Sequence, residues 1–86
     1  MTTIKVSAKS RPPRVAGAIA GIIRLGERAE AQAIGAGAVH QAIKATILAR
    51  RYLAEEGLDV ICIPAFTQVV IEGKEMTAVK LIVEPR

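Results

Sequence analysis

Apolar and polar residues alternate from Thr3 to Ala8, with Ile4, Val6 and Ala8 on one side and Lys5 and Ser7 on the other, which predicts a half-buried strand. The pattern then changes period. Val15, Ile19, Ile22 and Ile23 mark one face of a helix running to Leu25, with Gly26 just past its end. Pro12 and Pro13 stop the strand and pre-set the first helical turn, with Ser10 or Arg11 near the cap. A second strand is expected over Ala29 to Ile34, and Val39, Ala42, Ile43, Thr46, Ala49 and Leu53 recur at helical spacing along a second helix from about Ala38 to Leu53. Leu58 to Phe66 is apolar on both faces around Asp59. It therefore reads as a central strand, or as one covered on its second side by another subunit, with Pro64 interrupting its ladder. Gln68 to Glu72 and Met76 to Glu84 form a long hairpin turning at Gly73-Lys74.

The order strand, helix, strand, helix, strand, strand gives an α/β chain of the two-layer α+β kind, a four-stranded mixed sheet with two helices on one face. The right-handed crossover rule supports both helices lying together. Residues 1–86 make one domain with no repeats or linkers. Gly17 and Gly21, four residues apart on the first helix, point to tight packing on a neighbouring helix or backbone.

The stretch Gln32 to Lys44 carries a strand through Gly35 and Gly37 into a helix. Its first amides lack intrahelical partners and lie at the positive end of the dipole, so the turn could hold a phosphate; equally, the glycines could only let helix and sheet approach closely. It is not a dinucleotide fingerprint, because His40 takes the place of the third glycine and 86 residues cannot supply two such halves. The Lys-Ser/Thr of an NTPase phosphate loop is also missing.

Hydrophobic residues make up 51% of the chain against 23% charged, with one Tyr and one Phe, so an aliphatic core is affordable and aromatic stacking platforms are scarce. No apolar run approaches the roughly 18 residues of a membrane span and no signal sequence is evident, from which a cytoplasmic home is expected. Cys62, the one cysteine, sits in Val60-Ile61-Cys62-Ile63 and is expected to be buried and inert.

The net charge of +4 conceals an asymmetry, since residues 1–52 hold nine of the twelve cations and two of the eight acids. Lys9, Arg11 and Arg14 crowd a helix entrance. They read as a phosphate clamp or as a solvated loop. His40, Lys44 and Arg51 share a helix stripe that could touch phosphate or simply face water. There is no base beside a nucleophile and no metal-ligand cluster, so neither enzyme activity nor a metal or cofactor is expected.

Five blocks of the chain carry a family resemblance: Val6 to Ser10, Val15 to Gly21, Gln32 to Lys44, Ile61 to Thr67 and Leu81 to Arg86. In this order they resemble the bacterial stage V sporulation protein S family. The resemblance implies an Alba-like nucleic-acid-binding fold, a homodimer, and a regulatory role in sporulation or related programmes. It also implies nucleic-acid contacts, to DNA or RNA, at Lys9, Arg11 and Arg14 and at the turn of Gly35 and Gly37; Lys44, from the helix stripe, joins them as a candidate contact. The chain departs from the Alba pattern at its hairpin tip, where Glu72 and Glu75 flank the only cation, and from the family in having His40 where Asn is common. The competing expectation is a protein-interaction module that uses the aliphatic excess of Leu58 to Phe66.

Overall fold

A computed structural model describes all 86 residues. Its elements are β1 (Thr2–Val6), α1 (Pro12–Arg24), β2 (Ala29–Ala33), α2 (Ala36–Ala54), β3 (Val60–Ile71) and β4 (Lys74–Pro85). The sheet order is β1-β2-β4-β3, with β1 and β2 parallel and the other pairs antiparallel. The expected mixed four-stranded sheet with two helices is therefore present, in two layers.

β1 ends two residues earlier than its alternation predicts, because serine side chains draw the backbone away from the ladder. The Ser7 amide donates to Ser10 Oγ at 2.9 Å, and the Lys9 amide to Ser7 Oγ at 3.2 Å. The chain then enters α1 through Arg11, with Pro12 and Pro13 in the first turn. At the other end Gly26, at φ 81°, donates its amide to the Ile23 carbonyl.

α1 and α2 pack closely on one another, and their fully buried residues are mainly alanines: Ala16 and Ala20 on α1, Ala42, Ala45 and Ala49 on α2. Gly17 and Gly21 do not provide the close approach expected of them. A Cβ added at either would meet nothing within 4 Å. The small residues that matter lie one position earlier along α1, on the buried face.

β2 reads Ala-Glu-Ala-Gln-Ala, and its three alanines are buried under the helices while Glu30 and Gln32 face the other side. With Val6, Leu81, Val83 and Val60 they form the sheet's contribution to the core.

Three expectations for the C-terminal half are corrected. β3 is an edge strand and not a central one. It also runs unbroken through Pro64, which pairs with Leu81, because an edge strand accommodates a proline whose nitrogen faces outward. The hairpin turns at Glu72-Gly73, whose φ values of 51° and 78° suit the twist of a two-residue hairpin loop.

β2 pairs with β4 only over Val79 to Val83. The outer parts of β3 and β4 therefore project past the sheet as a two-stranded arm. Twelve extended residues at about 3.3 Å each span about 40 Å, which matches the 42 Å long axis of the molecule. No helix is long and apolar enough to cross a membrane.

Candidate nucleic-acid interface

β1 and β2 run parallel and each feeds a helix, so the amino-terminal ends of α1 and α2 lie at one edge of the molecule. This is the edge where the basic loop sits. Gln41 Nε2 donates to the Ser10 carbonyl at 2.8 Å and ties that loop to α2. Gly37 lies so close to the loop that a Cβ on it would stand 3.1 Å from the Ala8 Cβ. Gly35 caps α2 at φ 88°, where an L side chain would be strained, and its carbonyl accepts the Val39 amide. Gly37 thus serves the close approach, while Gly35 serves the backbone turn. The preceding amides of α2 have no side-chain cap, and neither helix carries an acid in its first turn.

The pairing of charges decides which cations are available. Arg24, Arg28, Arg50, Lys80 and Arg86 are engaged by Glu56, Glu84, Asp59 and Glu30. Lys9, Arg11 and Arg14 are exposed and their side chains make no ion pair or hydrogen bond. Lys44 and Arg51 are also unpaired, and both line a shallow groove with Pro12 at the start of α1. The fold therefore brings Lys44 beside the basic loop. Lys5, absent from the sequence-based set, belongs to the same unpaired group; its place on the solvent side of a strand gave no signal.

The engaged acids lie at the opposite edge. Arg24 grips Glu56 with Nε at 2.9 Å from both carboxylate oxygens and Nη2 at 2.6 Å from Oε2. This hydrogen bonding, helped by the charge of Arg24, holds the Glu56 carboxyl below its ordinary value against an opposing desolvation effect. For Asp59 desolvation pushes the pKa up, but the Val60 amide and the charges of Arg86 and Arg50 together bring it down. No three His, Cys, Asp or Glu side chains come together.

A second surface lies along the free edge. The register places Cys62, Pro64 and Phe66 opposite Val83, Leu81 and Val79, hence on the helix-bearing face. The two helices do not extend far enough to cover them. Phe66 is 77% exposed, Ile43 of α2, assigned to the buried arc by its spacing, is 44% exposed, and Ile47 of the same helix is 52% exposed. Cys62 is exposed, not buried as expected, because β3 is at the edge. It shares a cleft with Thr46 and Ile47. Desolvation raises its thiol pKa, with a smaller opposing effect from a hydrogen bond with Thr46.

A family model described as stage V sporulation protein S matches residues 2–86, essentially the whole chain. The chain belongs to that family. Stage V sporulation protein S is a small regulatory family connected with sporulation, and not a known enzyme family.

Proposed function

We propose that this member of the stage V sporulation protein S family is a cytoplasmic, non-catalytic regulator that acts as a homodimer on nucleic acid, DNA or RNA. Phosphates are held by Lys9, Arg11 and Arg14 and by the Gly35–Gly37 turn, with Lys44 extending the contact. One observation carries the reading: the ion pairs engage five cations elsewhere and leave those around the helix entrances free, Lys74 at the acidic hairpin tip being the one unpaired cation away from that edge. Free cations beside uncapped helix amides suit a polyanion, because each neutralised phosphate releases counterions. The Alba-like resemblance points the same way. Homodimer formation is supported by the uncovered apolar face of β3 and α2, too large in side chains such as Phe66 and Ile47 to be left in water without cost.

Titration of labelled DNA and RNA across salt concentrations tests this. A dimer presenting both loops should show a log–log salt slope of roughly three to five on duplex DNA. Changing Lys9, Arg11 and Arg14 together to Ala should flatten the slope and weaken all sequences alike, since phosphate contacts position a protein without reading bases. An unchanged slope in the folded triple variant would refute this assignment. The same apolar face supports a second reading, a module that recruits a regulatory protein, which gains if neither polymer binds at low salt.

A further inference from the structure

The face of the sheet opposite the helices is not flat. Ala78 pairs with Thr67 on that face and is only 1% exposed, yet it stands outside the hydrophobic core cluster, which is under the helices. Val69 and Ile71 of the arm line one cleft with Lys5 and Gln32 of β1 and β2, so the helix-free face is concave where the arm leaves the sheet. The result is a cleft of about 540 Å³ between the arm and the ends of β1 and β2, within the roughly 300–1,000 Å³ of ordinary small-ligand sites. Ile34, Val69 and Ile71 supply aliphatic wall, and Lys5, Ser7 and Gln32 supply polar groups.

Lys5 and Gln32 are register partners on adjacent strands. Neither side chain is committed elsewhere. Gln41 holds the Ser10 carbonyl and Gln68 pairs with Thr77, whereas Gln32, the remaining glutamine, has no hydrogen-bond partner. Ser7 and Ala8 line the cleft and lead directly into Lys9, so the cleft and the basic loop are contiguous.

We propose that this cleft receives one nucleobase, and that the protein therefore binds unpaired strands in preference to duplex; the idea rests on the phosphate reading above. A base needs apolar contact on its faces and hydrogen-bonding groups at its edge. The carboxamide of Gln32 offers a donor and an acceptor side by side, and the Lys5 ammonium adds a donor. The sugar-phosphate attached to that base would lie toward Lys9 and the glycine turn. A duplex keeps its bases stacked and paired, so it can reach the basic loop but cannot fill the cleft unless a base is extruded. The walls are aliphatic, so the grip depends on edge hydrogen bonds and shape more than on aromatic stacking.

The chain lacks tryptophan, so Ile71→Trp on the cleft wall gives a single tryptophan reporter, excited selectively over Tyr52. Its quenching would be followed with a ten-nucleotide single strand as RNA and as DNA, the matching duplex, and adenosine monophosphate, beside anisotropy titrations of the unsubstituted protein. Single strands should bind about tenfold more tightly than duplex at equal salt, reflecting roughly the unstacking cost that duplex must meet. Gln32→Leu should lower single-strand affinity about five- to tenfold, the worth of a hydrogen bond or two, and leave duplex affinity unchanged. Quenching by the mononucleotide would make a free nucleotide sufficient; quenching by the strands alone would make the strand the ligand. Equal affinity for single strand and duplex, or Gln32→Leu without effect on single strands, would overturn the proposal while leaving the phosphate reading intact. Absence of binding to any polymer at low salt would overturn both.

Discussion

Ala8 lies 3.1 Å from the point where a Cβ on Gly37 would sit, so the turn after β1 and the first turn of α2 meet at the limit of contact. This approach couples the basic loop to the helix that follows the second glycine turn. Gly37→Ala would gain helix propensity, about 1 kcal/mol, against displacement of Ala8. Its melting point should therefore stay near that of the unsubstituted chain, while nucleic-acid affinity falls because Lys9 is carried with Ala8. Gly35→Ala differs in kind, since φ 88° strains any L residue. It should cost about 1–2 kcal/mol in urea unfolding.

Gly17→Ala and Gly21→Ala should each stabilise the protein by about 0.5–1 kcal/mol, because the added methyl meets no neighbour and the unfolded chain loses freedom. Ala42→Leu should destabilise it by about 1–3 kcal/mol through overpacking of a site with no exposed surface. Denaturant midpoints distinguish these signs. Destabilisation by Gly17→Ala would mean that α1 is approached on its outer side.

Phe66→Glu and Ile47→Glu should each shift the protein from dimer to monomer in light scattering, as both put a carboxylate into the uncovered apolar face. The thiol of Cys62 supplies an independent readout. It is exposed in one chain, so a disulfide reagent should modify it readily in dilute protein and slowly at concentrations where the face is covered. A monomeric mass for the unsubstituted protein at high micromolar concentration would contradict this.

Glu56→Gln removes the grip of Arg24 between the ends of the two helices. The folded pKa of Glu56 lies below its ordinary 4.5, so its stabilising effect is present above that value and disappears as the pH falls through the folded pKa. The variant should melt at most about 5 °C lower at pH 7, the pair being exposed. The difference should close in acid below the folded pKa. A constant difference across pH would assign the effect to packing.

Element order and type were legible because each segment obeys one period: two through Ile4 and Val6, near 3.6 through Val15, Ile19 and Ile23. The identity of the buried side of α2 was not. A hydrophobicity pattern favours the bulkiest residues, whereas the close approach of two helices favours alanine, so Ala38 and Ala45 are buried and Ile43 is exposed. The edge position of β3 was hidden for a related reason, since a strand awaiting a partner carries the same doubly apolar pattern as a central one. At the candidate interface, the basic loop and glycine turn were readable as motifs. Lys5 and Gln32 were not, because their role depends on the arm lining one cleft with strands distant in sequence.

The arm has a consequence for motion. Beyond Val79 the β4 strand has β3 as its only partner, and an isolated two-stranded ribbon is marginally stable in water. Residues 67–78 can therefore open without disturbing the alanine-lined core, and their amide protons should exchange through that local opening rather than through global unfolding. Val69 and Ile71 belong to this segment, so one wall of the cleft is a low-stability unit hinged on a rigid one, and whatever fills the cleft must supply the free energy that holds the wall closed.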